Sequence, residues 1–546
     1  MMGWLDHLPI LPVAVPMMAG ALMLLLKDSR RKALTGLAFV SVTIQLVVAV
    51  TLLLMTAGII SNDWNNQIGV YLLGNWIAPF GIVFVVDKLS AVMLVLTIVL
   101  GISALIYSTA FWDRVGIHFH PLFQFILMGL NGAFLTGDLF NLFVFFEIFL
   151  AASYGLLLHG SGSRRVSSGL HYITVNLIGA SLLLISISLI YGVTGTLNMA
   201  DLGIKAGMLD AENRKLFETA CAILGIAFLV KAAAWPLNFW LPNAYAAACA
   251  PVAALFAIMT KVGIYALVRM GSLLLPTGAP AAFGGEWMYA IGLGTLLFGT
   301  FGILAEKNTG RLVGYSIILS SGTLLTALGM PGVTLTGPSL FYLISSVLTT
   351  GAFFMLVELI KRTESFGSNV LSVSFEAFGL DEDKTSDYSG DVVGVAIPAA
   401  LAFLGLSFFT CAILIACMPP FSGFVAKFAL LSSALELTDN NLTGPSISAW
   451  LLVIAMLTSG LATVIALGRS GVRLFWNSDT LQTPKLSIRE AIPVSVLLLS
   501  CIVLSIFAGP VMDFLAETAS SLDDPNQYIN AVITQASNKP VSGGLQ

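Results

Sequence analysis

Charge is what this sequence has least of. Only 10% of its 546 residues are Asp, Glu, Lys or Arg, and 57% are hydrophobic, whereas a soluble globular protein carries about 25% charged residues. That shortage excludes a soluble domain and leaves an all-α polytopic membrane protein. The net charge of −4 is too small to argue for nucleic acid. Cysteine is scarce too. Cys221, Cys249, Cys411, Cys417 and Cys501 lie in apolar stretches without metal-ligand spacing, so they read as small buried hydrophobes. There is no Walker loop, no Rossmann fingerprint in a strand–turn–helix setting, and no Cys/His cluster for zinc or iron–sulfur. No cofactor is expected, and the chain alone has no means to hydrolyse ATP or carry electrons.

What is abundant is apolar sequence in runs of about 20 residues, the length of a membrane span. The sequence offers fourteen spans. Seven are Leu8–Leu26, Ala33–Ile60, Leu89–Phe111, Pro121–Thr136, Leu139–Leu158, Leu170–Tyr191 and Phe217–Trp235. The others are Pro251–Leu275, Trp287–Leu304, Leu312–Leu328, Ser339–Ile360, Val392–Cys417, Ile447–Leu467 and Ala491–Phe507. Span seven continues brokenly past Pro236, and span twelve past Pro419 and Pro420 to about Leu437. Lys27, Arg30, Arg31 and Lys32 follow the first run rather than precede it, which marks a span and not a cleavable signal. Placing that loop inside puts sixteen Lys and Arg in internal loops against six in external ones. Both termini then lie outside, in accord with the positive-inside rule. Two polar segments, Thr363–Asp391 and the tail after Glu517, read as exposed, partly mobile loops or docking surfaces.

One acid and three lysines each stand inside an otherwise apolar stretch. Glu147 stands in Leu139-Phe-Asn-Leu-Phe-Val-Phe-Phe-Glu-Ile-Phe-Leu150, and Lys231, Lys261 and Lys427 stand in similar runs. A charge at the centre of a membrane helix costs at least about 2.5–3.5 kcal/mol. One acid and three bases suggest a proton path. Pro236 has no N–H for the Ala232 carbonyl, and Pro420 interrupts the helix before Lys427 in the same way. Irregular backbone at membrane depth is tolerated only inside protein or beside a water-filled cavity. Two such breaks point to two inverted repeats, spans four to eight and nine to thirteen, each with a site near the midplane. The chain then divides into 1–120, 121–275, 276–476 with its loop 363–391, and 477–546. If Glu147 approaches Lys231 to about 4 Å, the ion pair is worth about 4 kcal/mol at an effective dielectric near 20, enough to hold or release a proton. The alternatives are lysines that snorkel to the interface and a glutamate in a structural ion pair. His159 and His171 flank an internal loop, and His118 and His120 sit at the mouth of span four. These could feed protons in or be ordinary interfacial residues. Asp138 reads as the cap of span five.

The stretch Asn131-Gly-Ala-Phe-Leu-Thr-Gly-Asp-Leu-Phe-Asn-Leu-Phe-Val-Phe-Phe-Glu147 resembles the antiporter-like family shared by Mrp-type cation/proton antiporters and respiratory complex I. So do Val230-Lys-Ala-Ala-Ala-Trp-Pro-Leu-Asn-Phe-Trp-Leu-Pro-Asn-Ala-Tyr245, the run from Pro251 to Gly263, and Pro420-Phe-Ser-Gly-Phe-Val-Ala-Lys427. The details are most similar to the D-type family of Mrp subunits, in its pH-adaptation branch. The resemblance implies a proton route through Glu147, Lys231, Lys261 and Lys427. It also implies a bacterial inner-membrane complex with other Mrp-type subunits, among them a larger antiporter-like partner of the A type, exchanging protons for Na+ or K+. Relatives often carry histidine after an Arg-Leu-x-x-Tyr-Ser motif. Here Arg311-Leu-Val-Gly-Tyr-Ser316 is followed by Ser320, and Ser345 and Thr350 stand where span eleven often has a histidine and a lysine. Hydroxyls can support a water chain but do not titrate. Besides this secondary-transport reading, a proton-pumping subunit of a redox complex and a scaffold with vestigial charges stay open.

Overall fold

Backbone in hydrocarbon must pair every N–H and C=O internally, and long apolar runs do so as helices. The computed structural model describes residues 4–27, 29–61, 64–274, 283, 285–378, 399–436, 445–475 and 486–538, and the side chains of all these except 4, 363–378 and 535–538. In chain order the helices begin with α1 (Leu11–Leu25), α2 (Arg31–Thr56), α3 (Lys88–Ser108), α4 (Phe119–Leu135) and α5 (Leu139–Leu157). Then come α6 (Ser163–Thr194), α7 (Met199–Ala206), α8 (Ala211–Lys231), α9 (Leu241–Ala247) and α10 (Ala250–Leu274). The second half holds α11 (Glu286–Ala305), α12 (Thr309–Leu328), α13 (Thr336–Phe378), α14 (Ala399–Ala416), α15 (Ser422–Leu435) and α16 (Ile447–Phe475). α17 (Ile488–Ile506), α18 (Ala508–Asp523) and α19 (Pro525–Asn538) close the chain. A small hairpin between α2 and α3 pairs Gly69–Leu72 with Val83–Val86, from Gly69↔Val86 to Leu72↔Val83.

Twelve described helices are long and apolar enough to cross a membrane. Two more complete the expected spans: α4, which is apolar but only 17 residues long, and α8, whose first turns carry Glu212, Arg214, Lys215 and Glu218. Spans seven and twelve are the broken ones, α8 with α9 and α14 with α15. Burial sorts the helices into centre and rim. The apolar windows of α10, α13 and α12 are 94%, 89% and 83% buried, whereas that of α17 is 33% buried and leaves its other face to lipid.

Local chemistry fixes the ends. Asp87 and Ser90 form a reciprocal capping box at the start of α3. Asp138 caps α5 as expected, accepting from the Asn141 N–H at 2.9 Å. In α1, Pro16 has no N–H to offer the Pro12 carbonyl, and the Asn131 side chain of α4 donates to that carbonyl instead at 2.8 Å.

Both polar segments depart from expectation. α13 runs on as helix to Phe378, well past Thr363; the acidic patch 381–387 lies outside the described residues, as does the expected start of span twelve at Val392. The described part of the tail after Glu517, to Asn538, is folded. α18 continues to Asp523, and α19 packs Tyr528, Ile529, Ala531 and Val532 inward, with Ile529 against Gly203 of α7. Four apolar residues on one helical face among Ser, Asn and Gln gave too little hydropathy to announce themselves.

Candidate functional site

The two breaks have the same stereochemistry. After α8, the Ala234 N–H bonds the Leu229 carbonyl and the Ala233 N–H bonds the Val230 carbonyl, with Ala233 left-handed at φ 54°. After α14, the Met418 N–H bonds the Ile413 carbonyl and the Cys417 N–H bonds the Leu414 carbonyl, with Cys417 at φ 57°. Each is a Schellman stop, and each is followed three residues later by a proline, Pro236 or Pro420. Freed backbone is picked up by hydroxyls, the Trp235 N–H by Thr295 of α11 at 2.8 Å. Glycines bring the neighbours close. A Cβ at Gly263 of α10 would lie 2.6 Å from the Phe228 carbonyl oxygen and 2.7 Å from the Ala232 nitrogen. Only glycine therefore lets α10 lie against the end of α8.

Lys231 is the last residue of α8 and is 6% exposed. Its ammonium lies 5.7 Å from the centre of the Phe146 ring, and no protein group hydrogen-bonds it. Glu147, one residue after Phe146 on α5, is half-buried, and its Oε1 is likewise unpartnered. Of the two arrangements weighed from the sequence, close or apart, the structure shows no ion pair between Glu147 and Lys231. Acid and base stand near one another, each short of a partner. Around them the break is held by aromatic packing: Tyr172 lies 5.4 Å from Trp240 and 5.9 Å from Phe256, and Tyr245 lies 4.9 Å from Phe256. Such pairs add about 0.5–1.5 kcal/mol each beyond area burial.

Lys261 lies midway along α10, 2% exposed, and is hydrogen-bonded. Its ammonium donates to Ser320 at 3.0 Å and Ser321 at 3.2 Å, both on α12. Ser320 passes a hydrogen bond to Ser346 of α13 at 3.0 Å, and Thr350 donates to the Ser346 carbonyl at 2.7 Å. On the neighbouring register Ser345 bonds Ser422, at the start of α15, at 2.8 Å. Lys427 follows on α15, 7% exposed, and donates to the Met456 carbonyl at 3.3 Å. Ser320 and Ser345 thus stand where the sequence put them. Ser321, Ser346 and Ser422 went unnoticed, although the adjacent serine pairs 320–321 and 345–346 inside apolar helices were a signal.

The histidines divide. His159 is buried, bonds the Trp112 carbonyl at 2.9 Å, and its imidazole is held below its usual range, chiefly by burial. His171 is exposed on α6, bonds only the Ser167 carbonyl within its own helix, and takes no part in the site. Sequence reasoning missed the polar brackets at the two ends of α10. At one end Glu358 accepts from the Ala250 N–H at 2.9 Å and from the Trp112 indole at 2.8 Å. There Arg362 joins Glu358 to Glu490 of α17. At the other end Arg269 and Asp87 form a buried ion pair at 2.7 Å. Among the described residues no cluster of His, Cys, Asp or Glu could hold a metal ion.

The family model described as NADH:quinone oxidoreductase/Mrp antiporter, TM, matches residues 136–452, from the turn before α5 into α16. The chain belongs to this antiporter family. The D-type subunit of a probable K(+)/H(+) antiporter of Rhizobium meliloti is 50% identical over 98% of this chain and 99% of that protein. The D-type subunit of a Na(+)/H(+) antiporter of Alkalihalophilus pseudofirmus is 30% identical over 97% of this chain and 100% of that one. In fold, a chain of the Mrp complex from a Dietzia species superposes with a TM-score of 0.78 at 24% identity, covering 97% of this chain and 100% of that chain. Both breaks and Glu147, Lys231, Lys261 and Lys427 fall within the segment matched to the antiporter family.

Proposed function

We propose that this chain is the proton-translocating subunit of a multi-subunit Na+ or K+/H+ antiporter of the bacterial cell membrane. It is a secondary transporter and not an enzyme. The observation that carries this reading is the set of four titratable side chains at membrane depth, two of them beside broken helices, with Lys231 and Glu147 both short of partners. An ammonium unpartnered in low dielectric is expensive to keep charged, so its charge state follows the distance to the nearest carboxylate. Protonation of Lys231 while Glu147 is close, and release while it is away, passes one proton per cycle. Lys261 and its serines would take that proton toward Lys427, through residues 121–275 and then 276–476 as two inverted units. The residue roles, and the placing of both termini outside, rest on this reading. The names of the relatives, D-type subunits of cation/proton antiporters, support it, with the cation path shared with partners such as a larger antiporter-like chain of the A type.

A redox-driven pump is the second reading, because the family embraces NADH:quinone oxidoreductases. One experiment separates the two. The whole complex is expressed in an antiporter-deficient host, and cation-induced collapse of a proton gradient is followed in everted vesicles, wild type against Lys231→Ala at equal assembly. Collapse in wild type by Na+ or K+ without a redox substrate, and silence in the variant, is the expected result. Normal transport by the variant removes the proton route, and a wild type blind to both cations favours the redox pump.

A further inference from the structure

Two cavities lie one helical turn apart on α3, at Lys88 and at Val92. One is polar, about 370 Å³, and is walled by Gln67, Lys88, Glu517, Ser521 and Gln527. The other is a groove of about 740 Å³, lined almost wholly by apolar side chains of α2, α3, α13, α17 and α18. Two helices run continuously from one into the other. α3 gives Lys88 to the polar cavity and Val92, Val95 and Val99 to the groove, while α18 gives Val511 and Phe514 to the groove and Glu517 to the cavity. At the junction the Lys88 ammonium bonds Glu517 at 2.7 Å and lies 5.7 Å from the centre of the Phe514 ring.

The dimensions point to one kind of occupant. From Val92 to Val99 the groove follows α3 for about 10 Å of helical rise, and with the turn back to Lys88 the two cavities together run about 16 Å, half of a hydrocarbon core about 30 Å thick. The groove therefore begins at a polar rim and ends near the midplane, the depth of one leaflet. Its volume lies within the range of about 300–1,000 Å³ usual for small-ligand sites. An apolar groove open to the bilayer takes acyl chains rather than water. The polar cavity is lined by Lys88 and Glu517 and by the buried Arg269–Asp87 pair, so it offers charges of both signs, and this matches a headgroup that carries a phosphate and an ammonium. We propose that the groove and the polar cavity together bind one zwitterionic aminophospholipid, with an acyl chain along α3 and α17, its phosphate at Lys88 and its ammonium at Glu517.

The test uses the assembled complex in nanodiscs of equal phosphatidylethanolamine and phosphatidylglycerol. A photoreactive phenylalanine replaces Val503, an exposed groove residue of α17, and the adducts are identified by mass spectrometry. The expected adduct is phosphatidylethanolamine, in several-fold excess over phosphatidylglycerol. With Lys88→Ala and Glu517→Ala added, the ratio should fall to about one. Cross-linking to another subunit, the absence of a lipid adduct, or equal or reversed lipid preference in the otherwise unaltered chain would each overturn the proposal.

Discussion

The two broken helices end alike and are charged differently. Each stops in a Schellman motif with a non-glycine residue at positive φ, Ala233 or Cys417, and each meets a proline three residues on. In the first, the lysine is the last helical residue before the stop, and its ammonium has no partner. In the second, Lys427 comes after the stop, inside the next helix, with a carbonyl to donate to. Backbone geometry was kept between the halves while the charge was moved across it. The break is therefore a frame that exposes backbone at the midplane, and the position of the lysine decides whether its charge is at rest. Within the first half Lys231 has no hydrogen-bond partner whereas Lys261 donates to Ser320 and Ser321, and in the second half Lys427 donates to a carbonyl.

The comparison breaks most readily at the glycines. Gly263→Ala drives a Cβ into α8 backbone, and Gly423→Ala brings one still closer to the Leu414 carbonyl oxygen. Overpacking of this kind costs about 1–3 kcal/mol, and both variants should lower the thermal midpoint of the detergent-purified complex. If the two frames are equivalent, the losses will be similar. Next comes Ser320→Ala. A hydrogen bond to a charged group is worth about 1.5–3 kcal/mol, and Ser321 remains to hold Lys261, so a transport rate lower by about tenfold is expected, with Ser320→His restoring part of it. An unchanged rate would mean that the serines only pack. Smaller still, Ala233→Gly and Cys417→Gly each remove a left-handed Cβ clash of about 1–2 kcal/mol, partly offset by the greater freedom of glycine in the unfolded chain. Both should leave stability equal or slightly raised; a loss at one break alone would show that the stops are not equivalent.

The smallest effect is a pH dependence. Burial holds the His159 imidazole below its usual value of 6.5, so on acidification the unfolded chain takes up this proton first, and stability falls as pH drops through about 6.5. In His159→Gln the fall in thermal midpoint between pH 7 and pH 5 should be shallower than in wild type.

The spans were legible because a twenty-residue apolar run has few other uses, and the breaks because proline removes a donor wherever it stands. Glu147, Lys231, Lys261 and Lys427 were legible for the same reason, since each interrupts a uniform background. What stayed hidden depended on partners far away in the chain. Arg269 read as a loop residue because nothing near it announces Asp87, and Glu358 was passed over because its donors lie at Trp112, Ala250 and Arg362. The absence of a contact between Glu147 and Lys231 was equally unreadable, because sequence places both at mid-membrane but not how far apart they stand. α19 escaped because its apolar face is short and interleaved with polar residues.

The brackets on α10 have a mechanical consequence. One end of this helix is tied by its first N–H to Glu358, the other by Arg269 to Asp87. Breaking one partner out of a buried ion pair costs about 3–5 kcal/mol, so α10 can neither slide nor turn cheaply during turnover. In the proposed cycle it would serve as a stator: any motion between Glu147 and Lys231 would fall to α5 and α8, while Lys261 keeps a fixed address.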